Sequence, residues 1–185
     1  ALLAGLREAA KSPTAQGSAE LRGSIHKVLD DFPSFNDEPR RFPPLKAAAS
    51  VEMETDKGIF TIALDLAAEN HAAAFAQGVK DGFYEGLSWH RVVTAFVVQG
   101  GDPRGSGWGD AGWRLADEIT RSPFLRGTVG APKAGKDTGG CQLFVSLVPT
   151  PHLDGRYTAF GRVISGLEVL DLLEPGDLII KARLR

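Results

Sequence analysis

The chain has 185 residues with 43% hydrophobic and 24% charged side chains and a formal net charge of -2. That length fits one domain, or one domain with an extension, and the composition is that of a globular rather than a disordered chain. The slight acidic balance argues against nucleic acid as the main partner, since phosphate binding needs a concentrated basic surface. No apolar run reaches membrane-spanning length. Cys141 is the sole cysteine, so an internal disulfide is excluded, which leaves the compartment open. The first residue is Ala1, not methionine. A targeting segment upstream would be invisible, and cytoplasmic and exported (periplasmic) locations are both compatible with the sequence.

Residues 1–46 differ in character from the rest. The stretch 1–11 is rich in Ala and Leu, and Leu21, Ile25, Val28, Leu29 and Phe32 recur at helical spacing with Ser18 available as an N-cap. Pro33, Pro39, Pro43 and Pro44 then interrupt any regular element. The expectation is a helical extension and proline-rich linker over 1–46, followed by a folded domain over 47–185. From Ser50 the period becomes two: Val51, Met53 and Thr55 alternate with Glu52 and Glu54, an Asp56-Lys57-Gly58 turn follows, and 59–64 returns as a second strand. Residues 67–80 place Ala72, Phe75, Ala76 and Val79 on one helical face. Strands are expected at 89–93, 95–99, 128–131, 143–148, 158–164 and 179–184, with a short helix over 167–173. The loop at 104–112 carries four glycines. Many short strands, glycine punctuation and only two helices in this part point to a closed antiparallel barrel.

The chemistry concentrates in residues 82–103, GFYEGLSWHRVVTAFVVQGGDP. This stretch offers one arginine, Arg91, with Phe96, Val97 and Gln99, and neither a nucleophile flanked by a base nor a metal-ligand cluster. One fixed cation, one amide and an apolar floor suit a reaction that moves no proton and breaks no bond, and no metal or cofactor is called for. His26, His71 and His152 are scattered without metal-ligand spacing, His90 reads as a structural histidine, and Cys141 as a small packed residue. The glycines of 104–112 lack the following helix and lysine of a phosphate loop.

The stretch resembles the cyclophilin signature F-Y-x-G-x-x-F-H-R-V-x-x-x-F-x-x-Q-G-G-D, with Trp89 where phenylalanine is common. A second run, residues 127–163, is similar to the family's G-x-x-x-M-A-N-x-G-x-x-T-N-G-S-Q-F-F-I and its later L-D-G-x-x-x-x-F-G-x-V. Two separated motifs in the correct order cover the chain from about Val51 onward. The resemblance implies an eight-stranded cyclophilin barrel capped by two helices, and peptidyl-prolyl cis-trans isomerase activity on proline-containing peptides and unfolded proteins. An amide resists rotation with a barrier of about 18–20 kcal/mol, and X-Pro bonds interconvert over roughly tens to hundreds of seconds. At the twisted transition state the prolyl nitrogen regains a lone pair, and a guanidinium aimed at it binds more strongly there than in the planar ground state.

The resemblance makes Arg91 that donor, in a role independent of pH across the neutral range because a guanidinium keeps its proton. Phe96, Val97, Phe144 and Leu153 would receive the proline ring, Gln99 would hold Arg91 and the substrate backbone, and Gln142, Pro132, Lys133, His152 and Tyr157 would complete the groove. Ala131-Pro132-Lys133 replaces the family's Met-Ala-Asn. Pro132 lacks an N–H and Lys133 adds a cation near Arg91. His152 stands where some members have tryptophan, the position associated with tight cyclosporin binding, so weak cyclosporin binding is expected. Tyr157 replaces a frequent histidine. Two other readings stay open on the sequence: a non-catalytic proline-peptide binding module of a larger assembly, and a small-molecule barrel with an interior cavity.

Overall fold

The computed structural model describes residues 38–185. The expected helices within 1–32 lie outside the described residues. The first strands are β1 (Ser50–Thr55) and β2 (Gly58–Leu64), a hairpin in which Met53 faces Phe60 and Val51 faces Ile62. All four are fully buried. Glu52 and Glu54 point the other way and pair with Arg183 at 3.1 and 3.0 Å. Alternation of apolar and acidic residues has thus chosen the face that enters the core.

A 3-10 turn at Leu66–Ala68, capped by the Asp65 side chain at 2.9 Å, leads into helix α1 (Glu69–Lys80). Its buried side is mostly alanine with Phe75 and Val79, small enough for the helix to lie close on the sheet. Phe75 packs against Tyr84 and Phe160 at 5.0 and 5.6 Å between ring centres. The N-cap position is Ala68, which cannot satisfy the first helical N–H groups. Glu118 does so from another part of the chain: its carboxylate accepts from the backbone N–H of Asn70 at 2.9 Å and of His71 at 2.8 Å, and meets His71 Nδ1 at 2.6 Å.

The remaining strands are β3 (Arg91–Val93), β4 (Val97–Gly100), β5 (Thr128–Gly130), β6 (Leu143–Ser146), β7 (Ala159–Ser165) and β8 (Ile179–Leu184), with helix α2 (Leu167–Leu172) between the last two. All pairings are antiparallel, in the order β3-β4-β6-β5-β7-β2-β1-β8. The eight strands form one curled sheet with two helices. A ladder between β3 and β8 is absent among the described residues. Instead the segment ahead of β3 meets the entry to β8 through a Ser88–Leu178 bridge and bonds such as Trp89 N–H to the Asp177 carbonyl at 2.8 Å. This is also why the strand expected from Trp89 begins only at Arg91: the backbone of Trp89 is committed sideways. The next expected strand, 95–99, starts later for a similar reason. Residues 94–96 make the turn, Ala95 takes φ +56°, and the Phe96 N–H bonds to the Val93 carbonyl at 3.0 Å.

Two apolar clusters result. The larger joins the inner face of the sheet to buried residues of both helices, with Phe60, Trp89, Val98, Leu143 and Val145 all fully buried. Side chains therefore occupy the interior that a small-molecule barrel would leave open. The smaller cluster comprises Val97, Phe124, Phe144, Leu153 and Ala159, with Phe96 and Tyr157 at its rim. Residues 38–45 run along the domain: Phe42 packs edge-on against Trp113 at 5.0 Å, and its N–H bonds to Asn70 at 2.8 Å.

Candidate active site

The β3–β4 hairpin places Arg91 and Gln99 directly opposite one another, so their side chains leave the same face. Arg91 Nη1 lies 3.4 Å from Gln99 Oε1, and its guanidinium carbon 5.9 Å from the Phe96 ring centre. Gln99 Nε2 donates to Gln142 Oε1 at 2.9 Å, and Gln142 Nε2 donates to the carbonyls of Gly107 and Gly109 at 3.1 and 2.9 Å. The ends of this chain set its direction. A guanidinium only donates and a carbonyl only accepts, so each amide must receive through oxygen and give through nitrogen. Arg91, exposed at the surface, is thereby tied to the glycine loop through two amides whose orientation leaves no choice.

Asp102 holds that loop. It is 1% exposed, and its two oxygens accept from the backbone N–H groups of Arg104, Ser106, Gly107 and Gly109 at 2.5 to 3.1 Å. Burial opposes its charge, yet the four N–H donors together outweigh burial and hold its carboxyl below the usual range. A Cβ at Gly109 would sit 1.7 Å from Asp102 Oδ1, so this approach requires glycine there. The sequence reading did not single out Asp102, although it closes the Q-G-G-D part of the motif.

Beside this polar chain lies the smaller apolar cluster. Val97 from β4, Phe144 from β6 and Leu153 from a 3-10 turn at Pro151–Leu153 form its buried floor, at 2%, 4% and 7% exposure, with Phe96 at the edge. All four residues expected to receive a proline ring therefore come together. Phe144 faces Gln99 across β4 and β6, which brings floor and polar chain into one site. Phe124, not foreseen, stacks on Phe144 at 5.5 Å and 19°. Room for that stack comes from Gly130, where a Cβ would lie 2.5 Å from Phe144 and 2.6 Å from Phe124. Phe144 reaches Gly130 through the pairing of β5 with β6, which no local pattern in the sequence announces.

His152 lies nearly parallel to Phe96 at 5.5 Å, and Tyr157 stands edge-on to Phe144 at 5.9 Å. Pro132 and Lys133 follow β5, both half-buried. Lys133, the cation that the sequence adds to this region, is paired. Its Nζ meets Asp117 Oδ2 at 2.5 Å and faces the Tyr157 ring at 5.6 Å. His90 is pushed toward its neutral form chiefly by burial. Burial likewise pushes the Cys141 thiol up to about 12, which removes it as a nucleophile at neutral pH. Among the described residues no group of His, Cys, Asp and Glu is arranged to hold a metal, and no helix is long and apolar enough to cross a membrane.

Comparison with known proteins gives one consistent result. The family described as cyclophilin type peptidyl-prolyl cis-trans isomerase/CLD matches residues 50–182. A peptidyl-prolyl cis-trans isomerase of Helicobacter pylori is 43% identical over 142 residues, covering 73% of this chain and 86% of that protein. One from Synechococcus elongatus is 41% identical over 135 residues, covering 71% of this chain and 93% of that protein. Among solved structures, a Cryptosporidium parvum cyclophilin crystallised in the presence of the dipeptide Ala-Pro superposes with a TM-score of 0.70 at 26% identity, covering 74% of this chain and 98% of that one.

Proposed function

The chain belongs to the cyclophilin-type peptidyl-prolyl cis-trans isomerases and is an enzyme of that class, and we propose that its Arg91 carries the rate enhancement. In this reading the proline ring rests on Phe96, Val97, Phe144 and Leu153. The guanidinium meets the prolyl nitrogen as the amide twists out of plane and its lone pair returns. Gln99 aims the guanidinium and Gln142 steadies Gln99, while Pro132, Lys133, His152 and Tyr157 border the bound peptide. Little reorganisation is needed at the moment of reaction, because the amide chain is anchored on a loop that Asp102 already holds.

The observation that carries this assignment is the convergence of one arginine, two directed amides and a rimmed apolar floor at a single place. A charge-assisted hydrogen bond contributes about 1.5–3 kcal/mol, and each 1.36 kcal/mol off a barrier is about tenfold in rate. Arg91→Ala should therefore lower kcat/KM by at least about tenfold while leaving the thermal midpoint unchanged. Protease-free NMR exchange on a Xaa-Pro peptide checks it. A variant as fast as wild type removes Arg91 from the mechanism, and peptide binding without acceleration by the wild type would make the domain a binding module.

The substrates are proline-containing segments of unfolded or partly folded proteins, and residues ahead of about 46 form an extension to the catalytic domain. The contacts between residues 86–89 and 176–179 close the curled sheet into a barrel. An imidazole offers less apolar area than an indole, so with His152 at the rim cyclosporin binding is weak. A calorimetric titration returning a tight constant would overturn that.

A further inference from the structure

A second depression adjoins the apolar floor, of about 720 Å³ and lined in part by Asp117, Lys133, Lys136, Asp137 and Arg156. Three residues belong to both places. Leu153 is part of the floor and also lines the depression. His152 lies against Phe96 and lines the depression. Tyr157 presents its edge to Phe144 while Lys133 sits over its ring, so this one side chain is the partition between an apolar space and a charged one.

The charges in that depression do not balance. Asp117 is engaged by Lys133. Asp137 accepts the Asp117 N–H at 2.8 Å through one oxygen, and its other oxygen meets Lys136 at 3.9 Å. Arg156 has no side-chain hydrogen bond or ion pair among the described residues, and its side of the loop is exposed. Three cations stand against two carboxylates, and the surplus is Arg156, with the largely exposed Lys136 only loosely held. Exposed Ile119 adds an apolar patch against which a methylene stem can lie.

We infer that this depression is a subsite for an acidic side chain of the substrate, Asp or Glu, carried within two residues of the proline. The inference rests on the isomerase reading of the adjoining floor. An extended peptide advances about 3.3–3.6 Å per residue, so a chain whose proline lies on one side of Tyr157 sends a near neighbour to the other side. Arg156 supplies the unmatched charge and can meet a carboxylate with two parallel N–H groups. Lys136 adds to the local potential.

The test is a set of Xaa-Pro peptides with Glu, Gln or Lys placed in turn at each of the two positions on either side of proline, assayed by NMR exchange at low and high salt. At one position Glu should be favoured over Gln by up to about fivefold in kcat/KM at low salt, the range of an exposed ion pair. Lys should be disfavoured there, and salt should erase the difference. Arg156→Gln should abolish the preference while the Gln peptides are isomerised as fast as by wild type. Equal rates for Glu and Gln at every position would overturn the subsite and leave the isomerase reading intact, since the Gln peptides would still be accelerated. A Glu preference that survives in an Arg156→Gln, Lys136→Gln double variant would overturn it as well. Failure to accelerate any peptide would remove the isomerase reading and this inference with it.

Discussion

The two apolar clusters use similar residues and differ in how completely the fold covers them. In the larger cluster, Phe60 is fully buried and packs toward Trp89 at 6.1 Å. At the site, Phe144 and Leu153 are also buried, but Phe96 and Tyr157 form a rim that is only partly covered. The first cluster completes its contacts on folding. The second buries its floor on folding as well and leaves part of its rim, Phe96 and Tyr157, uncovered. Position in the sheet makes the difference, since β4 and β6 carry residues of both clusters on alternating faces.

Substitutions can separate the two. Phe60→Ala should have the largest effect, about 3–5 kcal/mol of stability by analogy with other buried aromatic truncations. Denaturant unfolding should show it, with kcat/KM per folded molecule unchanged. If stability hardly changes, the division between a sealed core and an open floor is wrong. Gly130→Ala should come next. The added methyl must displace the Phe124–Phe144 stack, an overpacking of about 1–3 kcal/mol, and it should raise KM as well as lower the thermal midpoint. A normal KM would mean that the floor does not bind substrate.

Acid should produce the smallest effect at working pH and should act on the polar side of the site. Asp102 and Glu118 are both buried enough for desolvation to raise their pKa values. For Asp102 the backbone donors, and for Glu118 the His71 contact with two backbone N–H groups, outweigh it and leave both values lowered. A lowered folded-state value means that the stabilisation is present above the unfolded-state pKa, about 3.9 for Asp and 4.3 for Glu. It is lost as pH falls through the folded-state values. The thermal midpoint should thus be flat from neutral to about pH 5 and fall below about pH 4. Asp102→Asn should start lower at pH 7 and fall less steeply. Equal slopes for variant and wild type would mean that the Asp102 carboxylate is not what holds the glycine loop.

Much of this was legible in one dimension. The β1–β2 hairpin follows from alternation around Asp56-Lys57, and β8 occupies the span its residues predict, because both depend on neighbours close in sequence or on a simple period. Two motifs name the residues that come together at the candidate site, from Arg91 and Gln99 to Phe144 and Leu153. Other features are invisible to pattern. Glu118 caps a helix that begins 49 residues earlier, at Glu69. Gly130 makes room for two rings, Phe144 from across the pairing of β5 with β6 and Phe124 from the loop just ahead of β5. Lys133 reads as a free charge until Asp117 is seen beside it. The chemistry available and the face each strand buries follow from residue identity and a two-residue period, which act locally. Which carboxylate neutralises which cation, where a depression opens and which charge is left over are set by contacts between segments far apart in the chain, and these exist only once the sheet has curled.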